Sequence, residues 1–141
     1  MFYAQDLNEH VTQLDIYNKT PAVIYSVPVA HIDKNDVIQI TTELEATNNY
    51  QYNVMIGCNV ILTDNSSSIK GTLIDQKNSF NITPNMHHGT VSKARNWKSL
   101  SSYDNKYVNV VCWSMSKNSL NSQSLKIEQG YGHLDLLVTR S

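Results

Sequence analysis

The sequence predicts an all-β protein, an antiparallel β-sandwich of the jelly-roll kind preceded by an N-terminal arm. Three observations predict it. Apolar and polar residues alternate with a period of two through much of the chain, which marks strands with one buried face. Turn residues recur at intervals of about ten. No stretch sustains helical spacing over a long run. With 141 residues the chain is about one domain, large enough to bury a core. Residues 1–17 read as the arm and residues 18–141 as the sandwich.

The clearest alternation lies between Val37 and Thr63. Ile38, Ile40, Thr42, Leu44 and Ala46 alternate with Gln39, Thr41, Glu43, Glu45 and Thr47, predicting a strand with one wet, acidic face. After Thr47-Asn48-Asn49 the pattern restarts through Val54, Ile56, Cys58, Val60 and Leu62. Two amphipathic strands across a short Asn-rich break predict an antiparallel hairpin. Met55 and Ile61 add apolar side chains to the other face of the second strand, which places it deeper in its sheet.

The arm admits a helical turn (Leu7, Val11, Leu14) or a strand (Thr12, Leu14, Ile16), and Pro21 ends any helix. Ala22–Ala30 predicts a strand with Val23, Tyr25, Val27 and Val29 on one face, and since Pro28 lacks an N–H the strand is an edge there or ends there. Short strands follow at 68–74 and 80–83, then a stretch at 91–100, with a loop expected over 101–106 at Asp104-Asn105. Residues 107–116 form a strong strand, with Val108, Val110 and Cys112 on one face and Tyr107, Val111, Trp113 and Met115 on the other. Two apolar faces require two covers: a loop, the arm or another subunit must lie over Trp113. Strands at 125–129 and 133–139 close the chain, divided by a bulge or bend at Gly130-Tyr131-Gly132. An immunoglobulin-like sandwich is the alternative, but Trp113 follows the second cysteine instead of lying between the two.

Composition excludes several classes. Charged residues make up 16% of the chain and the net charge is −1; no basic patch of the kind that binds nucleic acid is visible. No apolar run approaches the ~20 residues of a membrane helix. Met1-Phe2-Tyr3-Ala4-Gln5-Asp6 has no basic segment followed by an apolar run, so the expected product is soluble, made in a cytoplasm and not secreted. Cys58 and Cys112 are expected as buried free thiols, with a cross-sheet disulfide as the other reading.

Candidate chemistry is sparse. His87-His88 invites a metal, yet neighbours in a strand face opposite ways, and the other donors are only His31, His133 and Asp135. His133 and Asp135 share a strand face, as do Glu43 and Glu45, about 7 Å apart. The first pair comes with no nucleophile in a recognisable elbow, the second has the paired carboxylates of glycoside hydrolysis, and an ordinary polar face explains both. We therefore expect no catalytic residue, no cofactor and no resident metal. Aromatic residues are the better lead, because rigid rings anchor interfaces and stack on sugars. The expected partner contacts are Phe2, Tyr3, Trp97, Tyr107, Trp113 and Met115. The expected ligand-stacking residues are Trp97, Tyr103 and Tyr131.

In style the chain resembles phage virion jelly rolls, above all capsid decoration (cement) proteins and fibre heads. The segments carrying the resemblance are Ile127-Glu128-Gln129-Gly130-Tyr131-Gly132-His133-Leu134 and Ile82-Thr83-Pro84-Asn85-Met86-His87-His88. It implies a structural virion protein, a homo-oligomer, expected as a trimer, that binds a major capsid protein or another virion protein. A carbohydrate- or receptor-binding sandwich is the second expectation. A metal-dependent jelly-roll enzyme using His87, His88 and His133 is the third.

Overall fold

The computed structural model describes residues 2–7, 12–15, 20–49, 53–75, 79–82, 89–114, 124–128 and 132–140. Among these residues eleven strands form: β1 (Phe2–Leu7), β2 (Thr12–Asp15), β3 (Ala22–Ile32), β4 (Val37–Thr47), β5 (Val54–Thr63), β6 (Thr72–Asp75), β7 (Ser79–Ile82), β8 (Gly89–Lys98), β9 (Tyr103–Ser114), β10 (Ser124–Ile127) and β11 (His133–Thr139). They make two antiparallel sheets, β1-β11-β4-β10-β2 with β8 also on β4, and β3-β9-β5-β6 with β7 also on β5.

Register reduces these segments to eight strands. β11 pairs with Val37–Glu43 and β10 with Ala46 and Thr47, while β8 takes Val37–Ala46 along the opposite edge. β10 and β11 are thus one strand broken near Gly132. β1 and β2 run antiparallel along it as a second broken strand. β6 and β7 likewise share one edge of β5, opposite β9. Counted this way in chain order, the sheets are 1-8-3-6 and 2-7-4-5, the jelly-roll topology of two interleaved Greek keys. The segment expected as an arm is therefore, over its described residues, an edge strand of the first sheet.

β4 alternates as its sequence demands, with Ile38, Ile40, Thr42, Leu44 and Ala46 buried. Facing it across the sandwich, Val54, Ile56, Cys58, Val60 and Leu62 are buried on β5. Each fully buried Ile or Leu contributes roughly 2 kcal/mol relative to exposure.

Several expectations require correction. β4 and β5 do not form a hairpin; they belong to opposite sheets. The polar break between them is a crossover, not an exposed turn: Asn48 is buried and its side-chain amide donates to the Ile82 carbonyl at 2.8 Å. Thr47 Oγ1 donates to Glu128 Oε1 at 2.7 Å on the other side. Cys58 and Cys112 are joined in a disulfide. They are directly opposed on neighbouring strands of one sheet, Cα atoms 4.1 Å apart, so the bond lies within a sheet and not across the sandwich.

β3 is the edge strand that Pro28 requires, but a register shift between Val23 and Tyr25 puts Val23 opposite Val111 on the outer face. Ile24 is buried at that bulge, and Tyr25, Val27 and Val29 continue the inner face. Residues 103–106 belong to β9 and are not a loop. Asn105, in a left-handed conformation (φ 53°), satisfies the turn signal without ending the strand, as Asn can at little cost.

Candidate interaction surfaces

Register lays out the outer face of the first sheet in rows: Leu7–His133–Glu43–Ser92, then Gln5–Asp135–Thr41–Ala94, then Tyr3–Leu137–Gln39–Asn96. Asp135 organises it. Its Oδ1 accepts from Tyr3 Oη at 3.1 Å and from Gln5 Nε2 at 2.7 Å, and His133 Nε2 lies 3.5 Å from its Oδ2. Desolvation, then the hydrogen bond to Asp135 and its charge, raise the Tyr3 phenol above its ordinary 10.0. Tyr3 and Leu7 nonetheless stand 60% and 54% exposed, two large apolar side chains open at the β1 edge. His133 and Asp135 share a face as the sequence indicates, and Glu43 lies opposite His133. Ser92 ends their row, on the far side of Glu43 from His133.

The outer face of the second sheet has its cover in part from a loop. Asn109, buried on β9, donates through Nδ2 to the carbonyls of Asn65 (3.0 Å) and Ser68 (2.9 Å), which folds the 64–71 loop over the strand. Ile61, beside Asn109, is buried there. Trp113 and Tyr107, also on β9, are half-buried. Beyond the loop, Tyr103 and Lys106 border a shallow depression of about 220 Å³ with Leu62, Asp64, Lys70 and Gly71. The Lys106 ammonium pairs with Asp64 and sits 5.9 Å from the Tyr103 ring centroid.

One rim of the sandwich carries a charge network. His31 Nδ1 lies 2.6 Å from Asp104 Oδ1 and Nε2 lies 2.5 Å from Asp33 Oδ1. Arg140 Nη1 donates to Asp33 Oδ2 at 3.0 Å and to Asp36 Oδ2 at 2.9 Å. Asp36 is 1% exposed and also accepts from the Asp33 amide at 2.9 Å. Hydrogen bonds from His31 to Asp104 and then Asp33 raise its pKa above the ordinary 6.5, against an opposing desolvation. Two carboxylates on opposite ring nitrogens favour the protonated ring; they do not converge on a common point as metal ligands must.

A buried cation ties the sheets together elsewhere. Lys93 on β8 is 5% exposed, and its Nζ reaches the Cys58 carbonyl (3.1 Å) and Asp75 (3.2 Å) in the opposite sheet.

Of the residues the sequence singled out, Tyr3 is exposed at the β1 edge, while Trp97 and Tyr103 are half-buried and pack on the core. Phe2 pairs with Val138 along the backbone. Met115, Tyr131, His87 and His88 lie outside the described residues. Among those described, no group of three or more His, Cys, Asp or Glu side chains could hold a metal ion. Sequence reasoning missed the Asp36–Arg140 pair, Lys93 and Asn109. Nothing local marks them, because these partners lie between 18 and 104 residues away.

This arrangement defines an eight-stranded jelly roll with a polar, partly apolar outer sheet face and a charged rim. No protein-family model matches the chain, and no curated protein matches it in sequence. Solved structures are similar to it in fold. The T13 particle of infectious bursal disease virus matches with a TM-score of 0.56 at 10% identity over 96% of this chain. The Gx strain of that virus matches at 0.54 and 10% identity over 99%. A mutant VP2 protein of the virus in T=1 particles matches at 0.51 and 10% identity over 96%. The chain spans 30%, 32% and 30% of the length of these three. At such identity the likeness is one of fold, and it is to particles of infectious bursal disease virus and not to the phage proteins expected.

Proposed function

We propose that the chain is a structural virion protein, a non-enzymatic jelly roll that binds and stabilises an assembled phage head as a decoration (cement) protein. The observation that carries this is the coincidence of the whole chain with a jelly-roll unit found in icosahedral viral particles. The fold consumes the described sequence, leaving function to its surfaces. Its mechanism is linkage: a protein that binds only the assembled shell lowers the shell's free energy according to its affinity and occupancy. Self-association and contact with a major capsid protein or another virion protein belong to this reading, with a trimer as the expected oligomer. It is made in the host cytoplasm and resides in the virion. A disulfide fits a life on particles outside the cell, since such bonds persist on virion surfaces. The test is to add purified protein to heads that lack it. Saturable binding and a raised melting temperature of the heads support the reading; no binding at any concentration overturns it.

A second reading, a receptor- or carbohydrate-binding sandwich, is favoured by the Tyr103–Lys106 depression, which a tyrosine, two lysines and a carboxylate line. Glycan-array binding that vanishes in Tyr103→Ala supports it. An array with no signal removes it.

A further inference from the structure

Two of the four sheet edges carry features that keep a strand from accepting a neighbour. β3 has a bulge at Ile24, Pro28, and a Ser26 amide already donated to Asp6 Oδ2 at 2.8 Å. The β6–β7 edge is two four-residue pieces with a register shift at Val60/Ile61. The third, β1–β2, is a six-residue and a four-residue piece, and its longer piece, β1, holds unbroken register with β11 and has no proline. β8 differs. Its 10 residues hold unbroken register with β4 and include no proline, and among the described residues no strand pairs with its other edge.

We infer that the β8 edge accepts β1 from a second copy of this chain, extending the first sheet from one molecule to the next. Strand sense permits it. The sheet is four strands wide and antiparallel throughout, so β8 and β1 run oppositely. A copy set alongside without being turned over therefore continues the antiparallel ladder with its core side on the same face. Side-chain size fits as well: β1 presents exposed Tyr3 and Leu7 on the outer face, and β8 presents small Ser92 and Ala94 there. Charge selects this partner over a twofold β8–β8 contact. β8 exposes Arg95 and Lys98 and has no carboxylate, so a twofold β8–β8 contact gathers like charges, which destabilise. Asp6 lies on the core side of β1 and Asp135 behind its outer side. The contact is heterologous, closing into a ring or running on as a filament according to the rotation per copy.

This inference rests on the self-association proposed above, and the test separates the two. Wild-type protein and Ala94→Pro are compared by light scattering, with circular dichroism as the control for folding. The expected result is an oligomer for wild type and the mass of a single chain for a folded Ala94→Pro. Because proline can disturb the strand, Tyr3→Cys protein is also mixed under oxidising conditions with Ser92→Cys, Ala94→Cys or Asn96→Cys protein in turn. A covalent pair in at least one mixture, with none from any single variant alone, supports the inference. An oligomeric wild type with no such cross-link, or with β8 variants that cross-link to themselves, overturns the edge assignment and leaves self-association standing. A monomeric wild type overturns both.

Discussion

Opening the Cys58–Cys112 bond should cost the fold about 4 kcal/mol. The two cysteines are 54 residues apart in sequence. Tying the ends of a loop that long removes on the order of 14 cal/mol/K from the entropy of the unfolded chain, hence the figure at room temperature. Both residues are fully buried, and a buried thiol packs as a small apolar group. Reduction therefore cuts the cross-link without opening a cavity, and isolates the chain-entropy effect. The assay is equilibrium urea unfolding of oxidised and reduced protein, with alkylation in denaturant to establish the redox state of each. The oxidised protein should resist alkylation until reductant is added, and the reduced protein should unfold at distinctly lower urea. The Cys58→Ala, Cys112→Ala double variant should lose somewhat more, because it also removes packed sulfur. Equal unfolding free energies for fully oxidised and fully reduced protein would refute the reasoning. Thiols that alkylate at once without reductant would refute the bond itself.

Other positions make independent predictions. Asp75→Ala strips the carboxylate from the buried Lys93 ammonium and should destabilise by about 3 kcal/mol, whereas Lys93→Met, which removes the buried charge, should cost less; the reverse order in thermal melts would contradict the cross-sheet role of the pair. A Cβ at Gly132 would strike the Tyr25 hydroxyl and the Glu43 carbonyl, which bond to each other at 2.8 Å. Gly132→Ala should therefore cost about 1–3 kcal/mol, read as a drop in unfolding free energy. His31, its pKa raised by Asp104 and Asp33, should contribute stability that is complete below 6.5 and fades as pH rises through its elevated value. Melting temperature should fall over that window in wild type and stay level across it in His31→Asn.

Alternation told which side of each strand is buried, and little else. Ile38 through Ala46 were legible because a period of two needs only local sequence. The sheet each strand joins was not, since the β4–β5 crossover and an Asn-rich turn look alike until Asn48 is seen bonded to Ile82. The bulge at Ile24 reversed Val23 for the same reason: an inserted residue flips every side chain beyond it. Cys58 and Cys112 were recognisable as core residues, but their bond depends on β5 and β9 being neighbours in register. Tyr3 was marked as a contact residue by its chemistry. Its place at a sheet edge, beside Asp135, depends on an N-terminal strand meeting a C-terminal one, and no local pattern encodes that meeting.

The proposal that this jelly roll is part of a virion is tested most directly by protein mass spectrometry of gradient-purified particles from the source of the sequence. The chain should band with the particles at a copy number commensurate with an icosahedral shell, and a salt wash should leave it in place. Its absence from the particle fraction, with the chain recovered only as free protein, would contradict the assignment.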